Sequence, residues 1–161
     1  MRHGKSNWDA AYDSDHERPL APRGEKSAGA MGVLLRDAGE APDLVVSSTA
    51  VRARSTAELA RIAGGWSGPL ELEPRLYGAS PDEALLIAGL HGTNQERLML
   101  VGHEPTWSTL VATLTGARVT VKTATVAAID LPITEWSQAA QAPGTLAYLV
   151  HPRLFANRIP Q

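Results

Sequence analysis

The sequence contains no cysteine, and this absence removes several kinds of chemistry at once. A chain without cysteine forms no disulfides, offers no thiolate ligands to a zinc ion and has no thiol nucleophile. Such a chain is also compatible with a reducing compartment, where disulfides are rare.

Long apolar runs and a strong net charge are missing as well. No stretch approaches the ~20 consecutive apolar residues of a membrane-spanning helix, and residues 1–20 are too polar for a signal peptide. The formal net charge of −2 gives no reason to expect nucleic acid or an acidic membrane surface as a partner. These absences predict a cytoplasmic protein that binds neither a membrane nor nucleic acid.

The chain does have the size and the apolar content of one globular domain. Its 161 residues, of which 43% are hydrophobic, are enough to bury a core, and no linker or repeat divides them. Apolar segments rich in branched residues predict short strands, and helical periodicity predicts the segments between them. Strands are expected at 43–47, 70–73, 97–102, 123–131 and 144–150, and helices at 23–37, 51–63, 80 to about 90 and 107–115. This alternation predicts one α/β domain over residues 1–161, with a mostly parallel sheet covered on both faces.

Histidines and arginines follow two of the predicted strands and also stand at the start of the chain. Arg52 comes soon after the first strand, His103 directly follows the third, and Arg2 and His3 lie near the N-terminus. In open α/β sheets, ligands bind outside the carboxyl ends of the strands. Arginines gathered there with a helix N-terminus form a site for phosphate or another oxyanion.

Four motifs, in order along the chain, resemble those of a known family. Residues 2–9, which begin Arg2-His3-Gly4, resemble the opening motif of the histidine phosphatase (phosphoglycerate mutase-like) superfamily, and residues 18–24 resemble the segment that follows it there. Residues 47–57 resemble the second motif, and residues 101–105 resemble the third. The segment 76–80 is similar to the short SixA-like branch of phosphohistidine phosphatases. The resemblance implies a three-layer α/β/α sandwich with a mostly parallel central sheet.

The resemblance also implies a role for each motif residue. His3 would attack phosphorus and form a phosphohistidine intermediate, and His103 matches a second histidine that is catalytic and binds phosphate. Arg2, Arg18 and Arg52 match phosphate-binding arginines. A neutral imidazole, with an ordinary pKa of about 6.5, needs no base to become a nucleophile. No metal and no cofactor are expected. The histidines that match no motif position are interpreted as surface or structural residues: His16, His91 and His151.

The motifs leave the general acid open. Glu73 lies near the place where the family's small-molecule branches carry a carboxylate that protonates the leaving group, although its spacing does not match, and Asp9 and Glu104 are weaker candidates. Phosphohistidine is a more labile substrate that demands less of an acid, so the sequence favours it over a small phosphate ester. The expected partner is therefore a phosphorylated protein or a small phosphorylated metabolite, bound by a monomer or weak dimer. A mutase is less expected, because the short chain leaves little room for the insertions that close a mutase site.

The N-terminal strand is the main departure from the family. In relatives a short apolar strand comes directly before the Arg-His-Gly motif, whereas here only Met1 does. Truncation of this strand would leave neighbouring strands with unpaired backbone groups, at ~1–3 kcal/mol for each buried one. A longer natural chain, a different segment or second molecule in the gap, or a gapped sheet with a mobile N-terminus would each accommodate the truncation. The alternative function is then a non-catalytic phosphate-binding or regulatory protein, inactivated by loss of the strand.

Overall fold

In the computed structural model, which describes residues 1–155, helices alternate with strands as the sequence predicts. The helices are α1 (Pro22–Asp37), α2 (Val51–Gly64), α3 (Pro81–His91) and α4 (Thr106–Thr115). The strands are β1 (Leu44–Ser47), β2 (Leu70–Leu72), β3 (Leu98–Val101), β4 (Val126–Asp130) and β5 (Thr145–Val150). None of these helices has the length and apolar character needed to cross a bilayer. The predicted α/β class is confirmed.

Local sequence explains why the helices begin and end where they do. Helix α3 starts with a capping box, in which Ser80 Oγ accepts a hydrogen bond from the Glu83 amide and the Glu83 carboxylate accepts one from the Ser80 amide. Pro81 occupies the first helical position, where its missing N–H costs nothing. Helix α2 ends at Gly65, whose left-handed backbone (φ 61°) suits glycine.

Strand β1 is the centre of a three-stranded parallel sheet in the order β2-β1-β3. Successive side chains of a strand point to opposite faces, and β1 supplies the core on both. Val45 packs with residues of α1 and α2, whereas Leu44 and Val46 pack with residues of α3 and α4. Two helices therefore cover each face, and the three-layer α/β/α arrangement is confirmed.

The last two strands stand apart from this sheet. Strands β4 and β5 pair antiparallel with each other, and no ladder of hydrogen bonds joins β4 to β3 within residues 1–155. A cleft of about 730 Å³ lies between them, lined by Leu98 and Met99 on one side and residues 126–130 on the other. A gapped sheet is one of the alternatives that the sequence leaves open, and it is the one observed among residues 1–155.

Residues 2 and 3 lie between the end of β3 and the residue that precedes β4. The Arg2 amide donates to the Thr125 carbonyl at 3.0 Å, and the His3 amide donates to the Gly102 carbonyl at 3.1 Å. Arg2 also forms a parallel bridge with Gly102. These bonds hold the backbone of residues 2 and 3 on both sides. A mobile N-terminus, one of the alternatives that the sequence leaves open, is therefore not what the structure shows. The residues that carry His3 are fixed between the two sheets.

Candidate active site

Three chain segments meet where β1 and β3 end. His3 lies beside Gly102, the residue that directly follows β3, and His103 is next in the chain. The ring centroids of His3 and His103 are 5.2 Å apart. Ser48, directly after β1, reaches His103 through a 3.0 Å hydrogen bond between Ser48 Oγ and His103 Nε2. The structure therefore brings together the two histidines that the sequence singles out.

His3 is a buried imidazole with one nitrogen already engaged. Its Nδ1–H donates to the carbonyl oxygen of Gly4 at 2.7 Å, which leaves Nε2 as the unprotonated nitrogen. Burial is the main cause that lowers the pKa of His3 to about 4; the charges of Arg52, Arg2 and Arg18 lower it further, and the bond to Gly4 opposes them. At neutral pH this ring is uncharged and keeps a lone pair on Nε2.

Close packing of the loop after His3 fixes the position of this ring. The Gly4 amide donates to Thr56 Oγ1 of α2 at 2.9 Å. Gly24 of α1 lies so close to the loop that an added Cβ would stand 2.2 Å from the Lys5 carbonyl oxygen. Only glycine allows this approach. The contacts with α1 and α2 therefore fix the loop that carries His3.

His103 is also uncharged at neutral pH. Burial is the largest cause that lowers its pKa to about 3, and the nearby His3 and Arg52 lower it further. Its Nδ1 is buried and has no hydrogen-bond partner within the described part of the chain. The edge of the Tyr77 ring packs against His103, with the ring centroids 5.4 Å apart. A neutral ring in this place can accept a proton.

Arg2, Arg18 and Arg52 supply positive charge to the same region. Arg2 is held by a 3.0 Å bond from Nη1 to the Val121 carbonyl, and Arg18 stacks on the Trp8 ring at 3.6 Å from guanidinium carbon to centroid. Arg52 lies in the first turn of α2 and is only 5% exposed. All three contribute to the lowered pKa of His3, which shows that their charges reach it.

Two of these arginines have buried donors that meet no acceptor. Among residues 1–155, the Nε atoms of Arg2 and Arg52 are buried without a hydrogen-bond partner. Guanidinium nitrogens can only donate, and buried donors are nearly always paired in folded proteins. An oxyanion placed beside His3 and His103 would supply the acceptors that these two N–H groups lack.

Asp15 contacts two of these arginines, although the sequence reasoning did not single it out. It begins a single 3₁₀ turn, Asp15–Glu17, and its Oδ1 accepts from Arg18 Nη2 at 2.8 Å. Its Oδ2 accepts from Arg52 Nη2 at 2.9 Å and from the Tyr77 hydroxyl at 3.0 Å. The only sequence signal for this contact is the spacing of three residues between Asp15 and Arg18. Nothing in the sequence indicates that the same carboxylate reaches Arg52 and Tyr77.

Glu73 is placed differently from what a general acid requires. Both of its oxygens accept hydrogen bonds from the Arg75 guanidinium, at 2.9 and 2.7 Å, and His91 lies 3.2 Å from one of them. The bond from Arg75 is the largest cause that lowers the pKa of Glu73 to about 2. A carboxylate that is ionised at neutral pH has no proton to give. The geometry therefore opposes the predicted role of Glu73 as proton donor.

For the weaker carboxylate candidates, Glu104 and Asp9, the role of general acid stays a prediction. Glu104 accepts a hydrogen bond from the Ser108 amide in the first turn of α4, and Asp9 lies in an exposed part of the N-terminal loop. Within residues 1–155, no three histidine, aspartate or glutamate side chains are grouped closely enough to hold a metal ion. The side chains described at this site are two neutral imidazoles, three arginines and the Asp15 carboxylate that pairs with Arg18 and Arg52.

Comparisons with known proteins show which family and which solved structures this chain is similar to. The family described as the histidine phosphatase superfamily (branch 1) matches residues 1–79. An uncharacterised protein of Mycobacterium tuberculosis is 45% identical over 114 residues, which cover 71% of this chain and 69% of that protein. The solved structure of a candidate phosphohistidine phosphatase SixA from Nakamurella multipartitia has a TM-score of 0.82 at 30% identity, and the match covers 94% of this chain and 93% of that one. A second, from Agrobacterium tumefaciens, has a TM-score of 0.78 at 27% identity, with 94% and 95% covered.

Proposed function

This chain belongs to the histidine phosphatase superfamily, in its SixA-like branch, and from that premise we propose that it is a metal-independent phosphatase with His3 as its nucleophile. One observation carries the proposal. The uncharged His3 has a free Nε2, and two of the arginines whose charges lower its pKa, Arg2 and Arg52, have buried Nε–H groups without acceptors among residues 1–155. A nucleophile and an oxyanion site therefore share one location.

The reaction follows in two displacements. First, the lone pair of His3 Nε2 bonds to phosphorus while the bond from phosphorus to the leaving group breaks, and the leaving group takes that electron pair. Second, a water oxygen bonds to phosphorus, the bond from phosphorus to Nε2 breaks, and the electron pair returns to His3. We assign to His103, whose ring centroid is 5.2 Å from that of His3, the role of accepting the proton that the water gives up.

The arginines supply the stabilisation that phosphoryl transfer needs. Negative charge in this reaction spreads over the three equatorial oxygens of the transferred group, so catalysis depends mainly on position and on charge. Arg2 and Arg52 each offer a buried Nε–H donor there. Loss of one preorganised donor of this kind costs about 10²–10³ in rate.

The state of the carboxylates favours an N-phosphorylated substrate. An alkoxide leaving group must be protonated, but Glu73 and Asp15 both have pKa values lowered to about 2 and carry no proton at neutral pH. When the second ring nitrogen of phosphohistidine carries a proton, the ring leaves as neutral imidazole, whose conjugate acid has an ordinary pKa of about 6.5 and which is a much weaker base than an alkoxide. Protein phosphohistidine therefore suits the described site better than a small phosphate ester does.

The geometry does not favour a non-catalytic phosphate-binding protein. That alternative supposed that loss of the first strand leaves His3 unsupported. Hydrogen bonds to Gly102 and Thr125 instead hold the backbone of residues 2 and 3 on both sides. The nucleophile keeps its position although the sheet is gapped.

Turnover assays test the proposal. Wild type, His3→Ala and the control His151→Ala are incubated with a phosphohistidine protein and with an aryl phosphate, each with and without EDTA. His151 serves as the control because its Nδ1 accepts a hydrogen bond from the Arg153 amide, a contact that involves neither His3 nor His103. We expect activity that survives EDTA, disappears in His3→Ala, persists in His151→Ala and has a higher kcat/KM for phosphohistidine. Activity retained by His3→Ala would contradict the nucleophile, and a preference for sugar phosphates would contradict the substrate class.

A further inference from the structure

Asp15 occupies the arginines that a phosphoryl group would need. Its carboxylate accepts hydrogen bonds from Arg18 and Arg52, and the Asp15 carbonyl accepts a further bond from Arg52 Nη1 at 2.6 Å. Both guanidinium groups are buried, whereas the Asp15 side chain is half exposed. The hydrogen bond from Arg18 is the main cause that lowers the pKa of Asp15 to about 2, so the carboxylate is an anion at any pH near neutrality.

This internal anion fills the site only in part. A carboxylate has two oxygens, and both are used at the Nη ends of the arginines and at the Tyr77 hydroxyl. The Nε atoms of Arg2 and Arg52 stay buried without a partner in the described structure. A phosphoryl group has more oxygens and more charge, and it can serve these nitrogens as well as the arginine ends.

We propose that Asp15 is a built-in competitor for the phosphate site: its carboxylate holds Arg18 and Arg52 until the phosphoryl group of the substrate displaces it. The inference rests on the proposed function and adds a residue that sets the affinity for phosphate. When the competent state is only a fraction of the population, the apparent dissociation constant rises by the inverse of that fraction. If Asp15 is bound in about nine molecules of ten, its removal tightens phosphate binding about tenfold.

The test compares Asp15→Asn with the control Asp13→Asn, using inorganic phosphate as the probe and calorimetry to measure the dissociation constant. Asparagine keeps the size of the side chain and removes its charge. Asp13 is an exposed acid of the same loop, and residues 1–155 give it no ion pair, so its variant makes the same change in net charge. We expect about tenfold tighter binding in Asp15→Asn and less than twofold change in Asp13→Asn. Unchanged or weaker binding in Asp15→Asn would overturn the inference, because Asp15 would then orient the arginines rather than compete for them.

Hydrogen exchange in the wild type gives an independent readout that needs no variant. The amides of Glu17 and Arg18 donate to the carbonyls of Ser14 and Asp15 within the 3₁₀ turn. Saturating phosphate should make these amides exchange severalfold faster, because the turn loses its anchor on the arginines. Slower or unchanged exchange would overturn the displacement.

The turnover assay distinguishes a failure of this inference from a failure of the proposed function. A wild type that hydrolyses phosphohistidine in a His3-dependent way, while Asp15→Asn binds phosphate no more tightly, would refute the competitor role alone. A wild type that neither binds phosphate nor turns over would refute both.

Discussion

Replacing His3 with glutamine should make the folded protein more resistant to acid. Burial lowers the pKa of His3 to about 4, whereas in the unfolded chain its pKa is about 6.5. Between these two values the unfolded state binds a proton that the folded state does not, so stability rises with pH there and is lost as the pH falls. Glutamine cannot titrate and can still donate a hydrogen bond to the Gly4 carbonyl.

The two pKa values set the size of this effect. Going from pH 7 to pH 5 should cost the wild type about 2 kcal/mol of unfolding free energy through His3 alone. Urea unfolding of wild type and His3→Gln at both pH values measures this difference. His91, whose pKa is raised by Glu71 and Glu73 against the opposing effect of burial, contributes with the opposite sign, but it is present in both proteins and cancels. If both proteins lose the same stability between pH 7 and pH 5, His3 is not a buried neutral imidazole and the argument for its reactivity is wrong.

Three further predictions address the arginines, the role of Glu73 and the packing of the fold. Arg52→Ala should lower kcat/KM by about 10²–10³ because a preorganised donor is lost. The control is Arg54→Ala, an exposed residue of the same helix, which should change kcat/KM less than twofold. Equal losses in the two variants would contradict the role of Arg52 in binding phosphate. Glu73→Gln should leave the turnover of phosphohistidine within about threefold of wild type, and a loss of about 10² or more would show that Glu73 supplies a proton after all. Gly32→Ala should lower the unfolding free energy by several kcal/mol, because the added Cβ would stand 2.0 Å from the Ala60 carbonyl oxygen. A thermal unfolding temperature equal to that of wild type would contradict this close packing of α1 on α2.

The order of the motifs was enough to predict which histidines meet. Parallel strands end at the same edge of a sheet, so residues that follow β1 and β3 must lie close together. His103 and Arg52 follow from this rule. His3 followed from the resemblance, and a bridge between Arg2 and Gly102 places it at the same edge. The gap between β3 and β4 is only one of the alternatives that the sequence leaves open.

The environment of the carboxylates could not be predicted in this way. Asp15 lies in a polar loop without periodicity, and its contacts to Arg52 and Tyr77 join segments that are 37 and 62 residues apart. Glu73 was considered as an acid on its position alone, but its pKa is set by Arg75 and His91. Ionisation of a side chain depends on partners that the fold assembles, and no local pattern records them.

The most direct test of the central claim is to look for a phosphoryl group on His3 itself. Wild type is mixed with excess phosphohistidine protein, the reaction is quenched within one turnover under alkaline conditions, and the peptide that contains residue 3 is analysed by mass spectrometry. We predict a phosphorylated His3 that forms before phosphate is released and that is missing in His3→Gln. Full release of phosphate without any phosphorylated His3, or with the phosphoryl group on another residue, would contradict the account.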